Sequence, residues 1–244
     1  MKPWAFQKTA PVRRNIGSDS DANAARQPSR RAVTALTVAA LASVILRSGP
    51  AAAQSRPIRL VALGDSLTAG YGLGPREGFA PRLETALRAR SHDVRVANAG
   101  VSGDTAEAGA QRVDWSVPDG TDGVIVELGA NDMLRGLDPA RTRAALTRIL
   151  DRLKQRNIPA MLAGMRASPN LGADYVRRFD SIYPDLARER GLVLYPFFLE
   201  GVVGDRTLNL QDGIHPTARG IDIVVEKITP SVERFLAEIA ARRS

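Results

Sequence analysis

The chain has 244 residues, 44% apolar and 25% charged, the balance of a soluble globular protein with room for one ordinary domain and a short appendage. Its net charge of +8 sits mostly at the start: residues 1–53 hold eight Lys/Arg against Asp19 and Asp21, which leaves 26 basic and 24 acidic residues from Gln54 onward. A nearly neutral remainder, with its arginines spread over helix-like segments such as 82–95 and 141–156, argues against nucleic acid as a partner, and the absence of cysteine excludes a disulfide framework, a thiolate nucleophile and a Cys-based metal site.

In chain order, a polar and basic stretch runs to Ser29-Arg30-Arg31. Fifteen uncharged residues follow (32–46, AVTALTVAALASVIL), then Arg47 and the small-residue run Ala51-Ala52-Ala53. A basic region, a short apolar core and an A-x-A site describe a secretory signal peptide, with cleavage after Ala53. The apolar run is too short for a membrane span, which needs about 20 residues. The long basic region, the paired arginines after a serine and the mild hydrophobicity resemble a twin-arginine signal, with the general secretory route as the alternative. The expected organisation is a signal peptide over 1–53 and one exported domain, periplasmic or secreted, over 54–244.

Beyond Pro57, short β-rich runs alternate with helical patterns. Strands are expected at 58–63 (ending in Gly64), 94–97, 123–128, 159–164 and 192–195. Phe79, Leu83 and Leu87 are spaced as one face of a helix over 78–90. Asp138-Pro139 gives a cap and first turn to a helix carrying Leu146, Ile149, Leu150 and Leu153. A further helix carries Val176, Phe179, Ile182, Tyr183 and Leu186, and the last runs over 221–239 with a kink at Pro230. Strands alternating with helices imply an α/β fold with a parallel sheet covered on both faces, whose ligands bind at the carboxyl ends of the strands.

Four polar, glycine-flanked clusters occupy the loops: GDSLTAGYG (64–72), NAGVSGDT (98–105), LGAND (128–132) and DGIHPT (212–217). Together they supply a nucleophile, oxyanion donors and a base with its orienter. Ser66 lies just past the first strand, and a serine hydroxyl needs a nearby base. The chain has two histidines; His92 falls before the second strand, at the amino end of the sheet, which leaves His215. Asp212, three residues earlier across Gly213, can take one ring nitrogen and leave the other facing Ser66. The Ser66 and Gly103 backbone N–H groups and the Asn131 amide can hold a developing oxyanion. Singly, each has a plainer role: helix cap, turn glycine, turn asparagine or loop histidine.

The four clusters resemble the four blocks of the SGNH, or GDSL, hydrolase superfamily, with Ser66, Gly103, Asn131 and His215 at the name-giving positions and Asp212 completing the triad. The similarity covers most of 58–240. It is closest to the bacterial periplasmic arylesterase, acyl-CoA thioesterase and lysophospholipase group, through SGDT, GANDMLRG, Ser181-Ile182-Tyr183-Pro184 and Pro196-Phe197-Phe198. The resemblance implies a three-layer α/β/α sandwich with a five-stranded parallel sheet, flavodoxin-like, and a serine esterase without cofactor or metal. Its expected substrates are small-molecule aryl and short to medium acyl esters, thioesters and lysophospholipids. A carbohydrate acetylesterase and a non-catalytic exported binding domain are the alternatives.

Other chemistries fit less well. Gly70, Gly72 and Gly74 form no G-x-x-x-x-G-K-[ST] loop, and Lys154 and Lys227 are the only lysines after residue 53. Asp65, Asp104 and Asp132 could gather a divalent cation, but the lysine that accompanies such phosphotransfer sites is missing. The G-x-S-x-G elbow is absent because Thr68 takes its last glycine position. Segments 164–172 and 196–199 mix apolar residues with turn formers at the ligand end of the sheet, as the wall of an acyl or aryl groove requires. For Phe197 and Phe198 the plainer reading is core packing.

Overall fold

A computed structural model describes residues 56–243. The expected signal peptide and its cleavage point lie outside the described residues. Five parallel strands, β1 (Ile58–Gly64), β2 (Val94–Gly100), β3 (Gly123–Glu127), β4 (Ala160–Ala163) and β5 (Leu194–Tyr195), form one sheet in the order β2-β1-β3-β4-β5. β3 and β4 are buried along their whole length and β1 from Leu60 on, which is why they read as apolar runs rather than alternating ones. The chain steps from β1 outward to β2 and then back past β1 to β3. That reversal opens a crevice between the carboxyl ends of β1 and β3, the place where such sheets bind ligands.

Helices cover both faces. On one, α2 (Phe79–Ala89) packs on α8 (Ala218–Arg243); on the other, α3 (Ala106–Ser116) packs on α5 (Pro139–Gln155). Two short helices, α1 (Ser66–Ala69) and α4 (Ala130–Leu134), follow β1 and β3 directly. The expected Asp138 cap is present: its Oδ1 accepts Ala140 N–H at 3.0 Å, with Pro139 opening α5. β2 runs three residues further than expected, because its pairing with β1 continues to Gly64 opposite Gly100.

One helix reading differs from expectation. The helix between β4 and β5 is two, α6 (Ala173–Asp180) and α7 (Ile182–Arg190), meeting at Ser181. Pro184 explains the break: it has no N–H for the Asp180 carbonyl, and its ring collides with that carbonyl in a continuous helix. α8 passes Pro230 as one helix. Pro230 and Glu226, whose carbonyl loses its partner, both face solvent, where water can replace the missing bond.

At the amino ends of the strands Asp122 gathers both ends of the described chain. It accepts Arg56 Nη1 and Nη2 at 2.6 and 2.8 Å, Arg59 N–H at 2.8 Å and Arg243 Nη2 at 3.2 Å. These donors hold its carboxyl below the usual range against the opposing effect of burial. Under the carboxyl ends, Phe79 and Phe198 meet edge to face with centroids 4.9 Å apart, and both are fully buried. Phe79→Ala should therefore cost about 3–5 kcal/mol, the range for deleting a buried phenyl ring. Urea unfolding checks this through a lowered midpoint with little change in slope.

Candidate active site

The site begins where β1 stops. Asp65 caps α1, its Oδ1 accepting Leu67 N–H at 3.0 Å, so Ser66 is the first helical residue and its N–H has no intrahelical acceptor. The helix lies directly against the end of β2. A Cβ on Gly100 would come within 2.2 Å of Ala69 N, so only glycine permits the approach. From the far end of the chain, the 212–215 turn brings up His215. Asp212 Oδ1 accepts the N–H groups of Ile214 and His215 at 2.9 and 3.0 Å, and Gly213 between them has φ +70°, a conformation that favours glycine. Asp212 Oδ2 lies 2.7 Å from His215 Nδ1, and His215 Nε2 lies 2.9 Å from Ser66 Oγ. The backbone N–H of His215, its ring and the Ile214 N–H hold the Asp212 carboxyl down at about 2. The Tyr71 ring rests 4.5 Å from the imidazole, centroid to centroid. The other histidine, His92, is 3.2 Å from Glu233 on α8, away from this constellation.

The expected oxyanion donors are placed less uniformly. Asn131, in the first turn of α4, donates from Nδ2 to Asp65 Oδ2 at 3.2 Å and to the Asp104 carbonyl at 3.0 Å. Gly103 lies on the exposed 101–104 turn, which is tied down by Val101 N–H on the Gly64 carbonyl at 3.0 Å and by Asn131 on Asp104. Its carbonyl accepts Arg135 Nη2 at 2.8 Å, and its N–H has no acceptor among the described residues. The three aspartates considered as cation ligands serve separate partners. Asp65 holds Leu67 and Asn131, Asp104 accepts Arg112 Nε at 2.5 Å, and Asp132 accepts Ala106 N–H and Thr142 Oγ1 at 2.8 and 3.0 Å.

Ser66, Asn131 and His215 open into a cavity of about 460 Å³. Its walls come from both segments expected to form a groove, including Met165, Pro169, Phe197 and Leu199, together with Leu134 and Ile214. Phe197 faces the cavity, whereas Phe198 belongs to the core. A cavity of similar size at the amino end of β4, around Lys154 and Glu189, shares no lining residue with it.

Two buried ionisable residues beneath the site escaped the sequence reading. Arg112, on α3, donates to the Gly64 carbonyl at 2.7 Å, the Ala99 carbonyl at 2.8 Å and Ser116 Oγ at 2.9 Å, besides Asp104. Its signal was a cation on the apolar face of a helix, in line with Gly109 and Val113. Glu127 ends β3, and its Oε2 accepts Thr68 Oγ1 at 2.7 Å. Its signal was a lone acid in the run VIVEL.

Burial pushes the Glu127 carboxyl well above its usual range, and neighbouring Asp65 adds to the effect; burial also pushes Asp65 up to about 6. The folded pair thus retains protons that unfolded carboxylates release near pH 4. Stability should fall as pH rises from that range through about 6. Glu127→Gln, which cannot ionise, should flatten this fall in urea midpoints measured from pH 4 to 7. The same slope in both proteins would place the effect elsewhere.

Comparison with known proteins places the chain in a family. Residues 62–223 match the family model of the GDSL-like lipase/acylhydrolase family. The chain is 32% identical over 203 residues to the esterase TesA of Pseudomonas aeruginosa, covering 83% of this chain and 99% of the relative. It is 34% identical over 197 residues to an arylesterase of Vibrio mimicus, covering 80% and 98%. Among solved structures, AlinE4, an SGNH-hydrolase family esterase, superposes with a TM-score of 0.63 at 49% identity, covering 74% of this chain and 97% of that one. The chain belongs to the GDSL-like lipase/acylhydrolase family, and its five-stranded sheet is that of the SGNH hydrolases.

Proposed function

We propose that the protein is an exported serine esterase that cleaves carboxylic esters through an acyl-enzyme. The Ser66–His215–Asp212 relay, with contacts of 2.9 and 2.7 Å opening into an apolar cavity, carries this reading. His215 Nε2 takes the hydroxyl proton as Ser66 Oγ attacks the ester carbonyl, then returns it to the departing alcohol. Asp212 stays ionised throughout the working range, since its carboxyl is held down at about 2, and stabilises the imidazolium that forms. Water, deprotonated by the same imidazole, then releases the acid.

The N–H groups of Ser66 and Gly103 and the Nδ2 of Asn131 receive the negative charge that grows on the carbonyl oxygen. Asn131 already donates to Asp65 and Asp104, so its contribution requires sharing or exchanging one of those bonds. The cavity walls favour aryl and short to medium acyl esters. Thioesters and lysophospholipids are further substrates that the family resemblance carried by SGDT and GANDMLRG implies. The same mostly apolar walls offer few partners for sugar hydroxyls and weigh against the acetylesterase alternative.

Ser66→Ala and His215→Ala should each lower kcat by several orders of magnitude, and the double variant should lose little more, because the two act as a unit. Asn131→Ala should cost about 10²–10³. The wild-type kcat/KM should rise with pH through one ionisation as the imidazole becomes neutral. A panel of phenyl acetate, phenyl octanoate, an acyl-CoA and acetylated xylan reads out the substrate class. Near-normal turnover by Ser66→Ala overturns the mechanism, and activity confined to the xylan overturns the substrate assignment.

Export rests on the sequence of residues 1–53, and no helix among the described residues is long and apolar enough to cross a membrane. Intact-mass measurement of the protein recovered outside the cytoplasm should give a chain starting at Gln54. A product starting at Met1 and confined to the cytoplasm contradicts it.

A further inference from the structure

The cavity is lined by apolar and neutral polar residues with one permanent charge among them, Arg166. Arg166 makes no ion pair and no hydrogen bond with any described residue, and no acidic side chain lines the cavity to neutralise it. Its placement is nevertheless defined. Its chain neighbours Met165 and Ala167 are buried, whereas Arg166 itself is exposed. The Ala167 N–H is fixed on Asp180 Oδ1 at 2.7 Å, which anchors the loop directly after β4. The guanidinium then lies over the Phe197 ring, its carbon 5.4 Å from the centroid, within cation–π range. That contact leaves the edge of the guanidinium plane, where its N–H donors point, without protein acceptors.

A cation oriented by a ring and lacking an acid is a receptor for an oxyanion, because the planar fork matches carboxylate and phosphate geometry. Arg166 is itself exposed, so that attraction acts at a partly hydrated position. We infer that Arg166 and Phe197 form an anion subsite of the cavity, selecting esters that carry a carboxylate or phosphate besides the bond to be cleaved. This deepens the esterase reading above and depends on it. The near-neutral balance of residues 54–244 does not oppose it, since recognition depends on the local charge. The anion can belong to the acyl chain or to the alcohol, and the same chemistry serves either.

The test compares matched phenyl esters in the full-length-domain enzyme. One arm sets the phenyl monoester of octanedioic acid against phenyl octanoate; the other sets 4-(carboxymethyl)phenyl octanoate against phenyl octanoate. In each arm the quantity read is the anionic-to-neutral ratio of kcat/KM, so intrinsic ester reactivity cancels between enzyme variants. In Arg166→Met this ratio should fall about tenfold in at least one arm, the scale of a charge-assisted hydrogen bond at a partly wet site. Arg166→Lys should recover part of it, and 0.5 M salt should narrow the wild-type ratio. The arm that responds identifies which part of the substrate bears the charge. Equal ratios in wild type and Arg166→Met in both arms overturn the subsite. If the wild type fails to cleave phenyl octanoate at all, it is the esterase reading that falls.

Discussion

A single buried guanidinium fastens the floor of the site. Arg112 is almost wholly out of water, yet it is satisfied by the carbonyls that end β1 and β2, by Ser116 and by the Asp104 carboxylate. A cation in that position is tolerated only when fully paired, and the pairing acts in both directions. The Gly64 carbonyl precedes the turn that carries Ser66, and Asp104 closes the turn that carries Gly103. Asp104 also offers its own carbonyl to Asn131. Arg112 therefore joins the segments after β1 and β2 directly, and the segment after β3 is tied to them through the two Asn131 bonds.

Acidic groups complete this floor. Asp65 and Glu127 lie at the ends of adjacent strands, where burial and mutual repulsion favour retention of protons. Asp132, one residue beyond Asn131, caps α3 and ties it to α5 through Thr142. Each acid fixes a backbone N–H or a polar side chain of the surrounding segments. Such buried networks are rigid when satisfied and costly when broken, which suits a site that must hold three groups in register.

Much of this was legible in the sequence because the information is local. A strand ending in glycine, a short polar block and a helix start declare themselves within a dozen residues, and Asp212 and His215 are three apart. The sheet, the α5 cap and the cavity-wall segments were visible for the same reason. Arg112 and Glu127 were missed because their meaning is non-local. Arg112 meets Gly64 across 48 residues and Glu127 meets Thr68 across 59, so single-segment reading registers only an odd charge in an apolar pattern. The α6–α7 break was also present locally, in Pro184, but the apolar spacing on either side of it was more conspicuous. The two bonds that occupy the Asn131 amide could not have been read from a motif, since they depend on how two loops approach each other.

The Asp122 clamp has a consequence for rearranging the chain. Arg56 and Arg243 share one carboxylate beside the amino end of β1, so the start and finish of the described domain are neighbours. A strand of seven residues, about 23 Å at 3.3 Å per residue, separates that point from Ser66. The domain is thus suited to circular permutation: a short linker can join the present ends, and new ones can be opened in an exposed loop such as 118–121 without approaching the cavity. By the same geometry, a surface or fusion partner attached at the present carboxyl terminus leaves the mouth of the cavity facing outward.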